Sequence, residues 1–248
     1  MKKSSQASTP RHSSFFSLHS AFRLLVHIAA LVPFALLVWD GAHNHLTVNP
    51  IQEITFRTGR NALKLLLLSL SCTPAATLLG FKPALLVRRP LGLYAFFYAT
   101  LHFLTFTVVD YGLDWRLIVQ GIVEKRYVLA GFAAFLLLLP LALTSTKGWQ
   151  RRLGRRWRTV HWLVYPAAAL VILHFIWLSK GDVLLLKGDI RRPILYGAAL
   201  AVLLLVRAPA IRRAALRWHG RRRFERRRVE GGRDLQEGPR GHAVGHAR

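Results

Sequence analysis

The stretch RRWRTVHWLVYPAAALVILHFIWLSK, residues 155–180, decides the fold. It opens in arginines, closes in a lysine, and is apolar for most of the length between. A run of about 18 apolar residues is long enough to cross a hydrocarbon core of ~30 Å, so the stretch reads as a transmembrane helix. Yet it holds two imidazoles, His161 and His174. Ionisable side chains inside a membrane are costly and rare, so each histidine poses a functional question.

The same pattern extends along the chain. Of its 248 residues 52% are hydrophobic, although the formal charge is +25. The apolar residues fall in blocks, with the basic ones between and after them. This predicts an all-α, polytopic membrane helix bundle of six transmembrane helices, at about 21–39, 62–80, 91–109, 127–145, 160–178 and 193–207. Residues 1–20 read as a polar tail, 21–207 as the transmembrane domain and 208–248 as a polybasic, disordered tail. The first apolar block is long and no A-x-A-type cleavage site follows it at WDGAHNH, so it reads as a retained helix. The single cysteine, Cys72, permits no intramolecular disulfide and reads as packing. CxxCH, CxxC, GxGxxG and GxxxxGK[ST] are all missing, which argues against covalent haem, a zinc or iron–sulfur site and a nucleotide-binding domain. No internal repeat shows at a solenoid period.

Orientation follows from the basic residues. Most of the 36 Lys and Arg lie in the N-terminal tail, in the second and fourth loops, and in the C-terminal tail. Most of the 11 acidic residues, among them Glu53, Asp110, Asp114 and Asp182, lie on or beside the opposite side. The positive-inside rule therefore predicts a multi-pass protein of the bacterial inner membrane with both termini cytoplasmic. Tethered directly after the last span, the tail IRRAALRWHGRRRFERRR reads as a surface for anionic lipids, with no nucleic-acid role.

Four histidines fall in expected spans: His27, His102, His161 and His174. Counted from the cytoplasmic ends of their helices, His102 lies about 16 Å deep and His174 about 21 Å. Both sit in the extracytoplasmic half, on helices running the same way. Two neutral imidazoles facing each other from neighbouring helices suit bis-histidine haem ligation, a site that helix bundles commonly build. The flanking LYAFFYATLHFLTF and AAALVILHFIWL offer aromatic walls and small alanines. His161 lies ~20 Å from His174 towards the cytoplasm and about 140° round a straight helix, so the two share a face only if Pro166 bends the segment. The level of His161 is occupied on the third helix by Arg88 and Arg89, and His27 is the other intramembrane histidine at that depth. One haem is expected; a second is an open alternative. His27 is either a ligand or an interhelical hydrogen-bonding group. Arg88 and Arg89 are either holders of a flavin phosphate or haem propionate, or positive-inside anchors. RTGR at 57–60 is either a helix start with interfacial arginines or a contact for a quinone or partner protein.

Taken in order, LVPFALLVW, TGRNALKLLLLSLSCTP, RRPLGLYAFFYATLHFLTF, ALTS, LGRRWRTVHWLVY and LHFIW resemble the MsrQ (YedZ) family of haem-binding membrane subunits, within the ferric-reductase-like transmembrane superfamily. The resemblance covers about residues 21–207. It implies haem b held at the positions of His102, His161 and His174, and FMN as a further cofactor. It also implies electrons passing from the quinone pool or a cytoplasmic flavin reductase to a periplasmic molybdopterin-containing methionine-sulfoxide reductase, which repairs oxidised proteins. The chain would then be an electron-transfer subunit rather than the catalytic one. Two alternatives stand beside this: a ferric-reductase-like cytochrome b with another acceptor, and a non-redox transporter or structural subunit. Against the transporter, no Asp or Glu falls in the middle of an expected span.

Overall fold

The structure, a computed structural model, describes residues 13–179, 181–182, 187–188 and 190–207. The expected tail at 208–248, and the tail at the N-terminus up to residue 12, lie outside the described residues. Helix α1 spans Ser13–Ala42, α2 Pro50–Leu78 and α3 Ala84–Leu104, which continues as a π-helical segment, Thr105–Asp110. There follow α4 (Trp115–Glu124), α5 (Arg126–Leu143), α6 (Lys147–Leu153), α7 (Arg155–His161) and α8 (Val164–Leu178). A two-residue antiparallel ribbon, β1 (Gly181–Asp182) with β2 (Lys187–Gly188), precedes α9 (Arg191–Val206). The chain divides into two units, residues 1–203 and 204–248, and of the second only 204–207 are described.

The protein is a helical membrane bundle. Among the described residues, five helical stretches are long and apolar enough to cross a membrane: Ser20–Ala42, Pro50–Leu78, Ala84–Asp110, Arg126–Leu143 and Arg155–Leu178. They correspond to the first five expected spans. Helix α9 overlies the sixth, but its 16 residues reach only about 24 Å at 1.5 Å each, short of a ~30 Å hydrocarbon core.

Helix boundaries depart from the sequence pattern at several points. Helix α1 begins at Ser13, inside the stretch read as a tail. Helix α2 begins at Pro50 rather than near residue 62. Asn49 accepts from the Gln52 amide at 3.1 Å and Pro50 fills the first turn, where no N–H is needed. RTGR is therefore no helix start but lies within α2. The expected fifth span is divided into α7 and α8. Pro166 has no N–H for the Trp162 carbonyl, which accepts instead from Tyr165 at 3.1 Å. Helix α4, unforeseen because ten residues cannot span, is capped by Asp114, which accepts from the Arg116 and Leu117 amides.

Packing is pairwise. Helix α3 lies most extensively on α2, and α8 on α5, while α1 is added against α3. Ala95, Ala134, Ala167 and Ala168 are buried at the contacts, where small side chains let helices approach closely without a hydrophobic driving force. Polar bonds tie the pairs together. The Tyr98 hydroxyl, fully buried, donates to the Ala30 carbonyl at 2.8 Å. Ser69 donates to the Arg88 carbonyl at 2.8 Å, and Arg57 pairs with Asp40 at 2.6 Å and Glu53 at 3.3 Å, joining α1 to α2. Cys72 is buried, in keeping with a packing role.

Candidate functional site

His102 and His174 face each other across the gap between the α2–α3 and α5–α8 pairs. Their ring centres are 6.0 Å apart and their planes 83° apart. Each ring is oriented by a backbone carbonyl of the helix beneath it: His102 Nδ1 lies 2.9 Å from the Thr55 oxygen, and His174 Nδ1 lies 2.6 Å from the Tyr127 oxygen. A carbonyl only accepts, so each Nδ1 carries the proton and each Nε2 keeps its lone pair. An imidazole that donates from one nitrogen to a carbonyl and offers the other is the ordinary form of a metal-binding histidine.

The two rings line a cavity of about 540 Å³, walled by Phe103, Phe106, Phe132, Phe135, Leu63 and Val171. Its rim is polar, with Asn49, Gln52, Arg60, Asp110, Tyr111 and Lys125. Lys125 donates to the Tyr111 hydroxyl at 3.1 Å, and this bond raises the ammonium above the usual lysine range. The rim thus keeps its cation at any physiological pH. The π-helical segment, entered three residues after His102, carries Phe106 and Asp110 to the same cavity; such segments recur at functional sites.

A porphyrin fits these residues. The cavity falls within the ~300–1,000 Å³ usual for cofactor sites. Two nitrogens sharing one metal at about 2 Å each would set their ring centres roughly 6 Å apart, as found. Where the walls meet the two rings, the helices beneath them carry Gly59 and Gly131, and a β-carbon at either would press on the imidazole.

His161 stands elsewhere. It lines a second cavity of about 200 Å³ with Arg88, Arg89, Ser69, Ser145, Gln150 and Trp157. Its Nδ1 donates to the Trp157 carbonyl of its own helix at 3.1 Å, and its ring lies 4.0 Å from that of Trp157. The volume is below the usual cofactor range. His27 lines neither cavity; its Nδ1 is 2.9 Å from the Tyr94 hydroxyl, an interhelical bond. The structure therefore brings together His102 and His174 in one cavity, and His161, Arg88 and Arg89 in another. Leu138 touches both. Four stacked rings also join them: Phe96, on the smaller cavity, lies 5.6 Å from Phe135, which lies 4.8 Å from Phe103, itself 5.9 Å from Phe132.

Sequence reasoning overlooked Thr55, Gly59, Tyr127 and Gly131. A signal was present at Gly131, which interrupts the apolar pattern of the expected fourth span at some cost to helix stability, whereas Gly59 lies in RTGR ahead of the expected second span. Their use depends on which helix lies beneath which histidine, and that is a tertiary fact.

Residues 58–172 match the family model described as ferric reductase like transmembrane component. The chain is also similar to proteins named protein-methionine-sulfoxide reductase heme-binding subunit MsrQ. That of Xanthomonas axonopodis pv. citri (strain 306) is 47% identical over 190 residues, covering 74% of this chain and 84% of the relative. That of Xanthomonas oryzae pv. oryzae (strain MAFF 311018) is 47% identical over 192 residues, 75% and 85% of the two chains. The Bordetella pertussis protein (strain Tohama I) is 44% identical over 181 residues, 73% and 85%.

Proposed function

Because the chain belongs to the MsrQ family of ferric-reductase-like membrane proteins, we propose that it is a haem-binding electron-transfer subunit, holding haem b between His102 and His174. The observation that carries this reading is the facing pair itself: two imidazoles with 6.0 Å between ring centres, each with Nδ1 committed to a carbonyl. When bound there, haem b supplies a one-electron carrier. The protein's own part is to offer two Nε2 lone pairs, to fix their direction through Thr55 and Tyr127, and to wall the site with phenylalanines. Arg60 and Lys125 supply positive charge at the rim.

Electrons enter from the quinone pool or a cytoplasmic flavin reductase and leave to a periplasmic molybdopterin-containing methionine-sulfoxide reductase that repairs oxidised proteins. The smaller cavity supports an entry point: Arg88 and Arg89 offer charge for an anionic group such as the phosphate of FMN, and His161 a titratable group beside a planar ring. The stacked phenylalanines offer a packed aromatic route from there towards the facing histidines. Placement in the bacterial inner membrane, with both termini cytoplasmic and the basic tail on anionic lipids, follows the Lys and Arg distribution. The test is a reduced-minus-oxidised spectrum with haem and flavin quantified per polypeptide. One low-spin b-type haem is expected, and purified protein without a Soret band would sink the reading.

A further inference from the structure

We propose that Gly59 and Gly131 are positioning residues for His102 and His174, and that the two halves of the site are one device built twice. The inference rests on the haem reading above but concerns how this chain holds its own imidazoles. Within α2 the Thr55 carbonyl faces the turn that contains Gly59; within α5 the Tyr127 carbonyl faces the turn that contains Gly131. A helical carbonyl already accepts one bond from four residues on, and has a second lone pair to give. The side chain at that fourth residue would normally cover it. With glycine there, the carbonyl lies open and the imidazole rests directly on the backbone.

Distances bear this out. A β-carbon at Gly131 would lie 2.8 Å from His174 Nδ1 and 3.0 Å from its Cε1; at Gly59 it would lie 3.1 Å from His102 Nδ1 and Cε1. Ordinary carbon contacts are about 3.5–4.0 Å, so an alanine at Gly131 must displace the His174 ring from its carbonyl, and one at Gly59 must shift the His102 ring by a few tenths of an ångström. The arrangement is duplicated along the chain. Accepting carbonyl, glycine and histidine fall at 55, 59 and 102 in one half and at 127, 131 and 174 in the other, each accepting residue standing 47 before its histidine. Leu-His-Phe recurs at 101–103 and 173–175. Two separate helix pairs using the same carbonyl-and-glycine cradle point to a requirement of the site rather than a local packing accident.

The experiment uses the full-length protein, labelled with 15N-histidine, as parent, Gly59→Ala, Gly131→Ala and Gly197→Ala. Gly197 is a control: its β-carbon would meet Ile172 at 3.3 Å, on neither histidine. Readouts are haem per polypeptide, midpoint potential, and histidine 15N resonances of the reduced, diamagnetic protein. Gly131→Ala is expected to displace the His174 Nδ1 resonance, shift the potential and lose a large part of the haem. Gly59→Ala should do the same to His102 with a smaller shift, and Gly197→Ala should match the parent. Unchanged resonances and potential in both cradle variants overturn the proposal, as does an equal disturbance in Gly197→Ala. Should Gly131→Ala fail to insert, the milder Gly59→Ala decides alone. A parent without a Soret band defeats the haem reading instead, and the Nδ1 resonances of the haem-free protein still test the cradle.

Discussion

The two cavities share walls from α2, α3, α5 and α8 yet differ in what holds their histidines. In the larger, each imidazole reaches across to a neighbouring helix, so its direction is set by how two helices pack. In the smaller, His161 bonds back to Trp157 on its own helix, and its direction is set locally. The duplication explains why only one cavity has a facing pair. His161 precedes His174 by thirteen residues, and thirteen before His102 stands Arg89. The same frame thus carries two histidines at one level and a histidine with an arginine at the other. A pair of neutral imidazoles suits a metal; a guanidinium beside an imidazole suits an anion.

The harshest way to break this comparison is to remove one of the facing histidines. His102→Ala and His174→Ala should each abolish the same low-spin signal. Losing a mere outer partner costs roughly 10–100-fold in metal affinity, and losing a ligand should cost at least that. Absorption and EPR spectra of the purified variants check this, and full retention of the signal in either would end the pairing. His161→Ala sharpens the contrast: haem content should stay near the parent's while reduction by the cytoplasmic donor slows. If His161→Ala empties the larger cavity as well, the two are one site.

Arg88→Gln with Arg89→Gln is expected to weaken flavin retention and donor coupling but to leave the low-spin spectrum intact, measured as flavin and haem per polypeptide. Flavin content unchanged from the parent would reduce these arginines to membrane anchors. The smallest effect is expected from truncation after about Arg217. Basic residues near anionic lipid add on the order of 1 kcal/mol each, an affinity redundant in a chain already anchored by its spans. Sulfoxide-reducing activity in liposomes with a periplasmic partner should be largely kept. A collapse with normal haem and topology would make the tail a docking surface for an electron donor.

Much of the fold was legible because hydrocarbon imposes a simple rule: a spanning backbone must satisfy its own hydrogen bonds, so apolar blocks become helices. Blocks around Leu65–Leu68, Leu136–Leu139 and Ala167–Leu173 announced themselves in this way. That His102 and His174 stand at a common level was legible too, since rise per residue is fixed. Boundaries set by caps were not: Asn49–Pro50 moved the start of α2 twelve residues outward, and Pro166 divided the fifth span.

From the sequence alone came the membrane class, the common level of His102 and His174, and the arginines Arg88 and Arg89 at the level of His161. Only the tertiary structure decided which histidines meet, that His27 is taken by Tyr94, and that Thr55, Gly59, Tyr127 and Gly131 hold the rings. The reason is geometric. Depth follows from counting along one helix, but facing depends on rotation and on the helix that packs alongside, and a carbonyl left open by a glycine has meaning only once another helix brings an imidazole against it.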